Sequence, residues 1–260
     1  MSTVPELEAF SQLLKENLHL ASEFERIAAY EQGKGYGEAT IAQEVGVICH
    51  LLGAPPRLAV DIGGNVGDYT ATLKAAAKDV EIHTFEPSAT NLDILRKRFA
   101  GDDSIIIAPF AVADTGGPAV LFADRAGSGL GSLSRRRLDH FAIKFDVSEP
   151  VTTIRFEDYW NDVLGRRPID IAKLDIEGHE LAALRGFGEA VQSIKAIQFE
   201  FGGGNIDTRT YFQDFWYFFQ EEKFDLFRIA PIGVDVIATY SEADEYFSTT
   251  NYIAVNRDKG

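Results

Sequence analysis

Between residues 173 and 180 the chain reads Lys173-Leu174-Asp175-Ile176-Glu177-Gly178-His179-Glu180, a dense run of ionisable side chains. Proton transfer calls for such a grouping, because an imidazole that titrates near neutrality can take a proton while carboxylates around it orient the donor. His179 is the candidate base. Asp175 either positions a reacting hydroxyl or caps the helix that begins near Gly178. Glu177 and Glu180 suit a helix's first turn, where the dipole favours carboxylates. Glu200, in Gln198-Phe199-Glu200-Phe201, closes another apolar run and is expected to face the same cleft. Asp175 and Glu200 offer two hard oxygen donors without a clear third, so no metal is assigned.

A second constellation lies upstream, in Val60-Asp61-Ile62-Gly63-Gly64-Asn65-Val66-Gly67-Asp68-Tyr69-Thr70. Glycines between a strand and a helix let the backbone approach a bound nucleoside closely. Counting from Gly63, Asn65 stands where a dinucleotide-binding loop needs its second glycine, and no phosphate-cradling G-x-x-x-x-G-K-[ST] run is present. Glu86, in Thr84-Phe85-Glu86-Pro87, lies twenty-five residues beyond Asp61 and could take both ribose hydroxyls. Ala111, just after the run Ile105-Ile106-Ile107-Ala108, is placed against the base.

The D-x-G-x-N-x-G pattern resembles the first motif of class I S-adenosylmethionine-dependent methyltransferases. The resemblance implies a cofactor that carries a sulfonium and an ammonium but no phosphate, beside which Asp61 is favourable. Methyl transfer to a hydroxyl needs in-line positioning and removal of a proton from a weak acid, the role given to His179. Residues 175–178 lack the [DN]-P-P-[YF] of enzymes that methylate exocyclic base nitrogens, and the sole cysteine, Cys49, lies far from these motifs. A nicotinamide-dependent oxidoreductase or epimerase would share the glycine loop and the ribose acid, but the glycine register opposes it. A non-catalytic nucleoside-binding module would keep the pocket, and the acids at 175–180 weigh against it.

These residues need a scaffold, and the hydrophobic pattern supplies one. Apolar residues at spacings of three and four predict helices over residues 7–28, broken near 20–23, and over 41–52, stopped by Pro55-Pro56. From residue 57, β-branched runs at 58–62, 80–85, 104–108, 169–174 and 194–199 alternate with helical patterns at 68–77, 89–99, 179–185 and 210–222. This is the grammar of an α/β fold: a doubly wound, mostly parallel, seven-stranded Rossmann-like sheet preceded by N-terminal helices. Runs at 224–231 and 251–256 without a long helix between them predict an antiparallel pair at one sheet edge. The chain divides at 1–56, a helical extension, and 57–260, the main domain. Residues 116–153 leave this pattern with a hairpin and a Gly/Ser/Arg loop at 127–137. The loop is expected as a mobile lid whose three arginines either dock an anionic part of the acceptor or stay solvated. The aromatic run at 211–219 fits core or a subunit contact.

Composition narrows the partners. Of 260 residues, 25 are basic and 40 acidic, a net charge of −15, so nucleic acid and anionic membranes are poor partners. A single cysteine excludes an intramolecular disulfide and a multi-cysteine metal site, which makes the cytoplasm the expected compartment. The first twenty residues show no secretory pattern, and no uncharged stretch is long enough to span a bilayer.

Together with Thr153-Ile154-Arg155-Phe156-Glu157-Asp158-Tyr159, Leu184-Arg185-Gly186 and Thr250-Asn251-Tyr252, the motifs from Asp61 to Glu180 resemble the FkbM family of S-adenosylmethionine-dependent methyltransferases. The resemblance spans about residues 58–256. It implies O-methylation of a hydroxyl on a sugar, glycan or polyketide-type natural product, so the expected partner is a small-molecule or glycan acceptor. It puts cofactor contacts on Asp61, Gly63, Asn65, Gly67 and Glu86, with Gly64 in the same loop, and the catalytic edge at 175–180. The N-terminal helices lie outside it and are read as a cover over the sheet or cleft, or as a homodimer contact.

Overall fold

A computed structural model describes residues 5–37 and 39–259; residues 1–4 of the expected extension and residues 38 and 260 lie outside the described residues. Two helices, α1 (Pro5–Glu16) and α2 (Leu18–Glu31), meet at Asn17, earlier than the expected break. Helix α3 (Ile41–Leu52) starts at Thr40, whose side chain accepts from the Gln43 backbone N–H, and stops at left-handed Gly53. The alternating part runs β1 (Leu58–Ile62), α4 (Asp68–Ala76), β2 (Glu81–Phe85), α5 (Ala89–Arg98) and β3 (Ile105–Ala108). Strands β4 (Ala111–Val112), β5 (Gly117–Ala123) and β6 (Val147–Ile154) follow. Then come α6 (Phe156–Asp162), β7 (Ile169–Leu174), α7 (Glu180–Gly186), β8 (Ile194–Phe201), α8 (Gly203–Thr208), α9 (Phe212–Glu221), β9 (Phe224–Ala230), β10 (Gly233–Val236) and β11 (Thr250–Asn256).

The main sheet has eight strands in the order β10-β9-β11-β8-β7-β1-β2-β3, with β1, β2, β3, β7 and β8 parallel. One expectation needs correction. The sheet gains an eighth strand, because β10 folds back on β9 through a short turn; its exposed valines, Val234 and Val236, carry no core signal. The expected antiparallel pair, β9 with β11, is present toward that edge of the sheet; what the sequence did not show is that β11 inserts between β8 and β9, antiparallel to both. Sequence order places β11 last, while the fully buried Tyr252 and Ile253 can be covered only inside the sheet. The expected hairpin is β5–β6, part of a separate three-stranded sheet with β4.

Every residue of β1 is buried, as a central strand covered on both faces requires. One face packs against α6, α7 and α9 through Phe156, Leu184, Phe199 and Phe215. Here Phe199 stacks on Phe215 at 4.9 Å and on Tyr252 at 5.4 Å. The aromatic run of α9 thus supplies core, although Tyr217 stays exposed. The other face packs against α3 and α4 through Val45, Ile48, Tyr69 and Leu73. The segment before α3 is tied down by Arg228 of β9, which donates to the Gln32 carbonyl at 2.8 Å and pairs with Asp235 and Asp244. Among the described residues no helix is long and apolar enough to cross a membrane.

Candidate functional site

The carboxyl ends of β1, β2 and β7 converge, and the turns after them form one slot. Gly63 and Gly64 both donate backbone N–H bonds to the Phe85 carbonyl, at 3.0 and 2.9 Å, which folds the loop across β2. Gly63 has φ +87°, and a Cβ there would stand 2.0 Å from the Asp175 carbonyl oxygen, so only glycine fits. Gly67, also at φ +87°, begins α4. Asn65 takes the left-handed conformation between them and turns a carboxamide oxygen, buried and without a partner, toward the slot.

Glu86, at the end of β2, is 5% exposed and accepts from the Asn65 N–H and the Ser88 N–H, each at 2.8 Å. Burial pushes its pKa up to about 7 against those two bonds. The Asn91 side chain also bonds Glu86. Ala111 and Phe110 form the apolar wall beyond it.

Asp175 borders the slot and another cavity on the other side of the glycine loop, which Glu44, Tyr69 and Lys173 also line. Lys173 Nζ stands 3.1 Å from Asp175 Oδ2, 3.9 Å from Asp61 Oδ1 and 5.0 Å from the Tyr69 ring centroid. Burial opposes its charge, but Asp175 and Asp61 outweigh that and hold its pKa above the usual lysine value. Asp61 does not line the slot: it is 1% exposed, bonded to Thr70 Oγ1 at 2.6 Å, and lies behind the loop beside Lys173. Gly64 and Gly67 likewise shape the loop from outside the slot.

His179 caps α7 and lines the slot, its Nε2 3.0 Å from Ser134 Oγ. Burial lowers its pKa, Asp114 opposing, so the imidazole is neutral at pH 7. Glu180 is turned inward to accept from the Ile176 and Gly178 N–H groups and fixes the turn in front of α7. Glu200 is half-buried at the end of β8, where burial and then repulsion from Asp175, Glu177 and Glu180 push its pKa well above the usual range; it is not a wall of the slot. The structure therefore brings Gly63, Asn65, Glu86, Ala111, Asp175 and His179 together and leaves Asp61 and Glu200 behind them. Among the described residues no cluster of three or more His, Cys, Asp or Glu side chains is arranged to hold a metal.

Sequence alone left the loop at 127–137 as a lid without fixed contacts. Ser128, Gly129, Gly131 and Leu133 in fact form one wall of the slot. Ser132 Oγ bonds the Glu177 carbonyl at 2.9 Å, and Arg136, buried, pairs with Glu177 and with Asp207 at 3.3 Å. The slot is tight, about 60 Å³, and the loop closes one side of it.

The profile of the FkbM methyltransferase domain matches residues 61–228. The chain belongs to the FkbM methyltransferase family. Its cofactor is S-adenosylmethionine. The slot suits that group, since its charged walls are Glu86 and Asp175, with neutral His179 and no lysine or arginine among the described residues lining it. A sulfonium and an ammonium are welcome there, whereas a pyrophosphate is repelled.

No curated protein matches the sequence. Among solved structures, an O-methyltransferase from Bacillus cereus in complex with SAH is 13% identical, with 95% of this chain and 97% of that one covered and a TM-score of 0.44. An rRNA methylase from Streptococcus thermophilus is 11% identical, covering 82% and 93%, with a TM-score of 0.45.

Proposed function

We propose that this FkbM-family methyltransferase moves the methyl group of S-adenosylmethionine to a hydroxyl of a sugar, glycan or polyketide-type natural product. The observation that carries the reading is the slot itself, which a buried carboxylate, Glu86, and an imidazole, His179, line together, with no lysine or arginine among the described residues of its walls. When bound, the cofactor supplies an electrophilic methyl on a sulfonium.

The chain's own groups do the rest. Glu86 would accept from the ribose hydroxyls, and Asn65 and the backbone at Gly63 would border the cofactor. Asp175, held by Lys173, faces the cationic end. His179 takes the proton of the acceptor hydroxyl at Nε2, exchanging its contact with Ser134 Oγ for one with the acceptor. The loop at 127–137 excludes water once it closes.

Calorimetric titration with S-adenosylhomocysteine and, separately, NAD tests the cofactor assignment. Micromolar binding of the first and none of the second is expected; the reverse ranking overturns it. His179→Ala should then reduce turnover by about 10²-fold or more while leaving S-adenosylhomocysteine affinity nearly unchanged. Unchanged turnover removes His179 from the proton transfer.

A further inference from the structure

Beyond the cofactor slot, on the far side of the loop at 127–137, lies a second cleft of about 440 Å³ that the proposed chemistry leaves unused. Its walls include Arg136, Arg137, His140, Phe141, Ile206 and Phe247. That volume is in the range of small-molecule sites. Phe141 is 67% exposed and Ile206 50%, an apolar surface left to water inside a concave site.

Charge is distributed just as unevenly. The molecule carries −15, yet residues 134–146 hold Arg135, Arg136, Arg137 and Lys144 against Asp139 and Asp146, the latter paired with Arg135. Arg136 is compensated internally by Glu177 and Asp207. Arg137 is not comparably engaged: its side chain is 90% exposed and its ion-pair partner, Asp139, stands 3.5 Å away and is itself 73% exposed. Such an exposed pair contributes little and exchanges readily for a better anion.

Position links this cleft to the reaction. Arg136 borders the cleft on one side and pairs on the other with Glu177, which lies between Asp175 and His179 in the chain. Ser134 of the same loop touches His179. The Arg136–Glu177 ion pair thus stands between the cleft and the turn that carries Asp175 and His179.

We propose that this cleft is the acceptor site and that it takes a hydroxyl-bearing acceptor with an anionic group, carboxylate or phosphate, beside an apolar ring face. The inference rests on the methyltransferase reading. Arg137 receives the anion, Phe141 and Ile206 receive the ring, and the hydroxyl to be methylated reaches His179 when the loop that carries Ser134 and Arg136 lifts.

The test compares two probes that differ only at C6 of the sugar, p-nitrophenyl β-D-glucuronide and p-nitrophenyl β-D-glucoside, with p-nitrophenyl phosphate as a third. Each is titrated into the full chain with and without saturating S-adenosylhomocysteine, and binding is read by ligand-observed NMR. The glucuronide should bind about fivefold or more tightly than the glucoside. Arg137→Gln should erase that preference, Phe141→Ala should weaken both sugars alike, and neither change should alter S-adenosylhomocysteine affinity. A phosphate probe tighter than the glucuronide assigns a phosphate-bearing acceptor, and the opposite order a carboxylate. Equal binding of the two sugars, no binding of either, or a preference that survives Arg137→Gln overturns the assignment. The two readings fail separately: loss of S-adenosylhomocysteine binding strikes the cofactor slot, whereas intact binding without a charge preference strikes only the cleft.

Discussion

In the proposed cofactor site, the single buried carboxyl of Glu86 would both bind the ligand and report on it. Its pKa near 7 reflects burial, and only the ionised form can accept from two hydroxyls at once. Ligand binding therefore favours loss of its proton, so affinity for S-adenosylhomocysteine should be highest above pH 7 and fall by up to about tenfold per pH unit below it. Calorimetry between pH 5.5 and 8 measures this slope. Glu86→Gln should flatten it and weaken binding by about tenfold or more, the worth of a hydrogen bond to a charged group. A pH-independent affinity in the unmodified protein contradicts the ribose role. His179 complements this, because its lowered pKa keeps the ring unprotonated and ready to accept. Both residues were legible in the sequence through type and spacing. Lys173 was visible but had no role there, since its pairing with Asp61 and Asp175 joins neighbouring strands β1 and β7.

At the scale of elements, the site depends on how tightly turns pack. The turn between β7 and α7 passes against the start of α8, where Gly178 has φ +98° and a Cβ would stand 2.4 Å from the Gly204 carbonyl oxygen. Gly178→Ala should cost about 1–3 kcal/mol of stability from backbone strain alone, with more from the clash, and should displace His179. Denaturant melting and turnover should both fall. A variant with normal stability and rate shows that the turn can relax. The helix–strand alternation was readable because apolar spacing at two and at 3.6 residues reports burial directly. Strand β10 was not, since its valines face water. The pinning of the loop at 127–137 was equally hidden, because Ser132, Ser134 and Arg136 find their partners more than forty positions away.

Across the whole molecule, buried acids set the pH response. Glu86, Glu177 and Glu180 all have pKa values raised to about 7, and Glu44, Asp61 and Glu200 are shifted in the same direction by burial. The folded chain therefore binds more protons than the unfolded chain between about pH 4.5 and 7, so these groups make stability fall as pH rises through that window. Glu81, lowered to about 2 chiefly by Arg167, acts in the opposite sense as pH falls below its unfolded value of 4.5, and His83 and His179, lowered by burial, oppose the acids below pH 6.5 without matching their number. The melting temperature should accordingly be higher near pH 5.5 than near pH 8, and added salt should raise it at pH 8 by screening a net charge of −15. A melting temperature that climbs steadily to pH 8 rules this out.

The sequence by itself determined the alternation of the main strands and helices, the glycine loop, the acid after β2 and the cluster after β7, because each depends on residue type at short spacing. Only the tertiary structure decided that Asp61 faces Lys173 instead of the slot, that Glu200 stands outside it, and that β11 enters the sheet between β8 and β9. The loop at 127–137 gained its place as a wall between two cavities in the same way. The physical reason is common to all four: which side of a backbone a charge or strand ends on is fixed by desolvation and by partners far away in the chain, and local spacing carries no record of either.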